Sequence, residues 1–147
     1  MFSIEFESID PMDDSELATG SIVLEGFRET FESPLHVWKR EDYEAQWDQA
    51  ICRLINGKDS TAIITGLYDP AYANFIQWWP AFRFEGEVRF HSQLLLMEQL
   101  DAPFDLDDVY RHVAGYEQVS EDGTPISEWS VPIDALESFL WRQSSRR

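Results

Sequence analysis

The sequence predicts a single α+β domain over residues 1–147, in which a mostly antiparallel sheet of five or six strands is covered by two main helices, at about 40–56 and 132–143. Three observations predict this class. The length of 147 residues is close to the usual size of one domain. Apolar residues alternate with polar ones in several short segments and recur at helical spacing in two longer ones. With 44% hydrophobic and 14% aromatic residues, the chain can form a core, which excludes a disordered protein.

The first thirty residues predict an antiparallel hairpin. Phe2, Ile4 and Phe6 alternate with polar residues, and a second strand carries Ile22 and Leu24. Residues 10–14 between them contain Asp and Pro and have the chemistry of a turn. We therefore expect two paired strands joined by an acidic loop.

The pattern over residues 40–56 predicts the first helix. Acidic residues crowd its first turn, as the helix dipole favours, and Asn56 with Gly57 supplies a stop. Its apolar residues fall on one face: Tyr43, Trp47, Ala50, Ile51 and Leu54.

The middle of the chain predicts further strands. Residues 61–68 form one strand, and residues 74–84 and 88–94 form a hairpin centred on Gly86, in which Pro80 requires a bulge or an edge position. Trp78 and Trp79 are adjacent in a strand, so one should face the core and the other the opposite face. If a helix does not cover that second face, its tryptophan is an interface anchor; the alternative is a sheet packed on both faces.

The final third begins with a loop at residues 101–105 and a short helical turn at 106–113. Asp122 and Gly123 suit a tight turn. Residues 128–131 lead into the C-terminal helix, whose apolar face contains Ile133, Leu136, Phe139 and Leu140. The remaining tryptophans are expected to pack in the core or at its rim: Trp38, Trp47, Trp129 and Trp141.

The charge of the chain restricts its partners. Against 28 Asp and Glu there are only 11 Lys and Arg, a formal net charge of -17. The first 48 residues alone hold 13 acids and 3 bases. A folded acidic surface repels nucleic acid and anionic membranes and attracts basic proteins. The sequence therefore predicts a module that binds a basic protein partner, without direct contact to nucleic acid or membrane.

No catalytic, cofactor-binding or metal-binding residue is predicted. The three histidines lack zinc-ligand spacing, and residues 105–108 lack the order of acids and the glycine of a calcium loop. Cys52 has no adjacent base and is expected to be a partly buried, inert thiol. A single cysteine, a start without a signal peptide and no apolar run of about 20 residues favour a cytoplasmic protein.

Charge and turn context select candidate partner-binding residues. They are two acidic groups in the predicted loops, a third group near the N-terminus and the adjacent tryptophans: Asp105, Asp107 and Asp108; Glu121 and Asp122; Asp13, Asp14 and Glu16; and Trp78 and Trp79. The alternative for each acidic group is a solvated surface, because loops are normally polar.

Several ordered motifs resemble the immunity proteins of bacterial contact-dependent growth inhibition systems, the CdiI family. The resemblance runs from about residue 20 to 140 and matches least over residues 7–17. The motifs are Phe31-Glu32-Ser33-Pro34-Leu35 with Trp38, Glu41-Asp42-Tyr43-Glu44 to Gln46-Trp47, Tyr68-Asp69-Pro70 to Ala73-Asn74-Phe75, Trp78-Trp79-Pro80, and Ile126-Ser127-Glu128-Trp129-Ser130-Val131.

The resemblance implies a small cytoplasmic protein without enzymatic activity that binds and neutralises the C-terminal toxin domain of a surface-delivered effector. Toxins of this type are commonly nucleases, whose basic clefts complement an acidic surface. Two alternatives remain open at this point. One is a small enzyme that uses a carboxylate with His91 or His112, and the other is a halophilic domain whose acidity serves solubility and which has no toxin partner.

Overall fold

The computed structural model describes residues 1–8, 16–69 and 73–146, and the predicted site residues Asp13 and Asp14 lie outside these ranges. The elements are β1 (Phe2–Phe6), β2 (Leu17–Leu24), β3 (Phe27–Pro34), α1 (Arg40–Ile55), β4 (Ser60–Leu67), β5 (Phe75–Phe84), β6 (Glu87–Phe90), β7 (Gln93–Leu96), two short 3₁₀ helices (Met97–Gln99 and Val109–His112), β8 (Trp129–Pro132) and α2 (Ile133–Arg146).

The α+β class, the antiparallel pairing and both main helices are confirmed. The strands differ from the expected single sheet, because the described residues form eight strands in two sheets. The predicted N-terminal hairpin is in fact three strands, since the chain turns back at Glu25 and Gly26. Glu25 has a φ of 58°, a conformation that non-glycine residues seldom adopt, so the pattern of residue types did not reveal the turn.

The first sheet has the order β1-β2-β3, and the second has the order β4-β5-β6-β8 with β7 also paired to β5. Pro80 lies within β5, where the neighbouring strand changes. Residues Ala81 to Phe84 pair with β6, and residues Phe75 to Trp78 pair with β7. The missing N–H of Pro80 therefore falls in the gap between two partners, a third solution besides the expected bulge or edge.

The core lies where α1, α2 and both sheets meet. The apolar face predicted for α1 is buried, and Ile133, Leu136 and Phe139 of α2 are buried as well. Phe2 of β1 joins the sheets, because its ring lies 5.5 Å from that of Phe90 and 5.2 Å from that of Phe139. Such ring pairs add to the stabilisation from buried area.

Two predictions of burial are wrong. Trp47 is buried, and Trp38 and Trp129 are half-buried, but Trp141 is 75% exposed on α2. Cys52 is also exposed, because it lies on the side of α1 opposite Ala50 and Ile51. Trp141 and Cys52 each lie next to buried residues in the sequence. A small error in the assumed direction of the helical face therefore turns a residue predicted to be buried into an exposed one.

Side chains of α1 close the outer edge of β4. The Gln46 amide donates to Ala62 O at 2.8 Å and accepts from Ile64 N at 2.9 Å. Trp47 Nε1 donates to Ile64 O at 2.7 Å, and Tyr43 Oη accepts from Leu67 N at 3.1 Å. Burial raises the pKa of Tyr43 to about 12. An edge whose backbone groups are satisfied in this way cannot pair with another chain.

Candidate functional site

The acids of residues 105–108 stabilise their own loop. Asp105 Oδ1 accepts a hydrogen bond from Asp107 N at 2.9 Å, and Asp105 Oδ2 lies 3.5 Å from Arg111 Nη1. Asp107 and Asp108 are exposed and precede the 3₁₀ helix. A calcium site is not built here, since no group of three potential metal ligands converges within the described ranges.

The other predicted acids lie on different segments. Glu121 and Asp122 are exposed in a tight turn, where Asp122 Oδ1 accepts from Ser120 Oγ and from Thr124 N. These hydrogen bonds lower the pKa of Asp122. Glu16 is exposed and lies 3.1 Å from His36 Nε2. The fold thus distributes the predicted acids over separate loops.

Trp78 and Trp79 are both buried, at 1% and 3% exposure. Trp78 Nε1 donates to Gln93 Oε1 at 2.8 Å, while the Trp79 ring lies 5.6 Å from that of Trp129. The sheet is therefore packed on both faces at this point, which is the alternative that the sequence left open. In the free protein neither ring is an exposed anchor.

A cleft of about 660 Å³ lies where the first sheet crosses the second, a volume within the usual range of binding pockets. Its lining comes from β3 on one side and from β4, β5 and β7 on the other. The lining residues are Thr19, Glu29, Thr30, Phe31, Glu32, Thr65, Tyr68, Gln77, Trp78, Trp79, Ser92, Gln93 and Leu94.

The charged residues that line the cleft are acidic. Glu29 and Glu32 are exposed, and among the described residues the lining contains no Lys, Arg or His. Burial, and next the Glu32 carboxylate, raise the pKa of Tyr68, which reflects the negative potential there. Carboxylates beside aromatic rings suit the guanidinium or ammonium group of a protein side chain.

A second polar cluster surrounds Glu128. Glu128 Oε1 accepts from Tyr116 Oη at 2.5 Å and lies 3.0 Å from His91 Nε2. Burial raises the pKa of Glu128, but the hydrogen bonds from Tyr116 and His91 outweigh this effect and hold it below its ordinary value. The contact required for a histidine–carboxylate pair therefore exists at His91. His112 is different, because its Nε2 accepts a backbone hydrogen bond from Asp105 N at 3.0 Å.

A match to a protein-family model shows which family the chain belongs to. The model described as the CdiI N-terminal domain matches residues 33–139. The chain belongs to the CdiI family. The matched span begins at the end of β3 and reaches into α2, so the resemblance predicted from the motifs is confirmed.

A curated relative and a solved structure resemble most of the chain. A relative named Immunity protein CdiI, from Enterobacter cloacae subsp. cloacae, is 24% identical over 119 residues, which are 81% of this chain and 81% of the relative. A solved structure, described as the CdiA-CT/CdiI toxin and immunity complex from Enterobacter cloacae, matches with a TM-score of 0.84 and 22% identity over 99% of each chain. This likeness shows that the fold is shared.

The cleft of this CdiI-family protein was missed by reasoning from the sequence. Glu29 and Glu32 lie in a mostly polar segment, residues 28–33, in which Phe31 is the one apolar residue, so the residue pattern gives no sign of a shared site. The crossing of two sheets brings them against Tyr68 and Gln93, which are distant in sequence. One signal was available, namely the excess of acids over bases in the first 48 residues.

Proposed function

We propose that the protein is an immunity protein that binds and neutralises the C-terminal toxin domain of a contact-dependent growth inhibition effector. Membership of the CdiI family is the observation that carries this proposal. The names of the two relatives support it, because one is an immunity protein and the other is described in a complex of toxin and immunity protein.

The charge of the protein supports a basic, nuclease-like toxin as the partner. A nuclease holds phosphates in a basic cleft, and a chain of net charge -17 complements that cleft while being repelled by nucleic acid itself. Neutralisation then consists of occupying or shielding the basic surface. It requires no turnover, and it takes place in the cytoplasm, where the delivered toxin would act.

The contact between His91 and Glu128 favours a second candidate, a small acid–base enzyme. His91 is 7% exposed, and its Nε2 is already directed at Glu128. The adjoining cavity, of about 240 Å³, is smaller than typical ligand pockets. These observations fit a structural cluster better than a proton-transfer site. An H91A variant that still protects cells would exclude a catalytic role in immunity.

Co-expression tests the proposal directly. The toxin domain encoded by the neighbouring effector gene is induced in cells with or without this protein, and growth is recorded. We expect full growth only when the protein is present. Toxicity that persists with soluble, folded immunity protein would contradict the proposal.

Association kinetics then test the electrostatic part. With purified partners, the association rate constant should reach about 10⁸ M⁻¹s⁻¹ at low salt and fall at least about tenfold in roughly 0.5 M NaCl, because the charges are screened. A rate that does not change with salt would show that charge does not steer the encounter. Folding that requires molar salt would instead support a halophilic domain.

A further inference from the structure

The outer edge of β3 has unpaired backbone groups. Two hydrogen bonds of 2.8 Å show which residues of β2 face β1: Glu25 N donates to Met1 O, and Glu7 N donates to Thr19 O. In an antiparallel strand successive residues bond to opposite neighbours. The even-numbered residues of β2, Gly20 among them, therefore direct their backbone groups at β3.

The register transfers this alternation to β3. Gly20 lies opposite Phe31, and Ile22 lies opposite Glu29, so the odd-numbered residues of β3 bond to β2. The N–H and C=O groups of the even-numbered residues then point away from the sheet. Within residues 1–8, 16–69 and 73–146 β3 pairs only with β2, and no hydrogen bond is made to the outward groups of residues 28, 30 and 32.

The outer edge of β4 is closed where β3 is open, and the outer edge of β1 is covered at one group. Side chains of α1 bond to the outer edge of β4, as described above. Along β1, Arg142 Nη2 donates to the outward Phe2 O at 3.0 Å. The edge of β3 is closed at its end, where Tyr43 Oη donates to Pro34 O at 2.7 Å, but it lacks such protection from Arg28 to Glu32, and an open edge is a template for an added strand.

We propose that an extended basic segment of the toxin domain binds in the cleft as an added strand alongside β3. This inference rests on the proposed function and specifies its contact surface. The cleft runs along the open edge and supplies the Glu29 and Glu32 carboxylates together with aromatic rings. Because Glu29 and Glu32 are three residues apart, they lie on opposite faces of the strand. In a bound strand, residues at positions i and i+1, or i and i+3, also lie on opposite faces. A segment with Lys or Arg at two such positions therefore meets both carboxylates.

A second copy of this chain is the competing occupant. Two β3 strands paired antiparallel about Thr30 would place Arg28 of one copy opposite Glu32 of the other. The net charge of -17 on each copy opposes such a dimer, whereas it attracts a basic segment. The charge complementarity thus favours the toxin domain.

Backbone and charge variants test the proposal by calorimetric titration with the toxin domain of the neighbouring effector gene. Thr30→Pro removes one outward N–H, which an edge strand tolerates, and Thr30→Ala is its control. Glu29→Gln with Glu32→Gln removes two cleft charges, and Glu98→Gln with Glu137→Gln removes two exposed charges elsewhere. We expect Thr30→Pro and the cleft pair each to weaken binding at least about tenfold, and both controls to change it less than about threefold.

Amide exchange gives a readout that does not depend on a variant. In the complex, the amides of Thr30 and Glu32 should exchange at least about tenfold more slowly than in the free protein, because they gain hydrogen-bond acceptors. Wild-type affinity in both variants, or unchanged exchange at these amides, would overturn the added strand while the proposed function stands. A wild-type protein that does not bind the toxin domain would overturn both. A dimer of the free protein that Thr30→Pro dissociates would assign the edge to a second copy.

Discussion

The hydrogen bonds between α1 and β4 predict a large loss of stability when Gln46 is replaced by leucine. Gln46 is 7% exposed, and its amide satisfies both Ala62 O and Ile64 N. Leucine keeps much of the side-chain volume but offers no polar atom. Each backbone group left buried without a partner costs about 1–3 kcal/mol, and burying the leucine side chain returns about 1.5 kcal/mol. With two such groups, the free energy of unfolding should therefore fall by about 0.5–4.5 kcal/mol, with a midpoint of about 2.5 kcal/mol.

Urea denaturation followed by tryptophan fluorescence measures this change. The midpoint should fall with an unchanged slope, and the melting temperature should fall by roughly 5–15 °C for a domain of this size. Gln99→Leu is the control, since the Gln99 side chain is exposed in the first 3₁₀ helix and makes no hydrogen bond among the described residues, and we expect a change of at most about 0.5 kcal/mol. If Gln46→Leu unfolds within about 0.5 kcal/mol of the wild type, the bonds to β4 do not stabilise the fold and the argument for a closed edge fails.

Two further variants test other parts of the fold by the same measurement. Tyr116→Phe removes the hydrogen bond that helps to lower the pKa of Glu128 below the ordinary value of a glutamate carboxyl, 4.5. A lowered carboxyl pKa contributes stability above the unfolded value, and this contribution is lost as the pH falls through the folded value. The difference in stability between wild type and Tyr116→Phe should therefore be larger at pH 7 than at pH 3.5, and an equal difference at both would refute the coupling. Gly20→Ala places a Cβ 2.7 Å from the Phe31 ring and 2.8 Å from a backbone oxygen, so we expect a loss of about 1–3 kcal/mol. Gly115→Ala meets no atom within 4 Å and should cost less than about 1 kcal/mol; equal losses would show that crowding at Gly20 is relieved.

Local periodicity was sufficient to predict both helices. The apolar face repeats over about three turns in α1 and about two turns in α2, so most of the buried side chains follow from spacing, although Cys52 and Trp141 do not. The turn at Glu25 was missed for a physical reason, because its positive φ is imposed by the pairing of β2 with β3 rather than by a glycine at that position. When the turn at Glu25 is not recognised, β2 and β3 are taken for one strand, and the three-stranded sheet is predicted as a two-stranded hairpin.

The candidate site was harder to predict, because it depends on contacts between distant segments. Asp105 and Asp122 resembled binding residues, but their carboxylates accept hydrogen bonds from their own loops. Trp78 and Trp79 were correctly identified as neighbours on a strand, but their burial depends on how the two sheets cross. The sequence shows how many acidic residues there are, but the topology of the two sheets determines which of them line the same cleft.

The contrast between a closed strand edge at β4 and an open one at β3 connects the fold with the proposed function. Every open edge is a risk of aggregation, and side chains of α1, Gln46 and Trp47 among them, close the outer edge of β4. The open edge of β3 belongs to the third of the chain that holds 13 of the 28 acids, and two of those acids, Glu29 and Glu32, line the adjoining cleft. Negative charge along an open edge repels strands of neutral or acidic proteins and admits a basic one. The same residues that protect the free protein from unspecific pairing would therefore select a basic toxin as its partner.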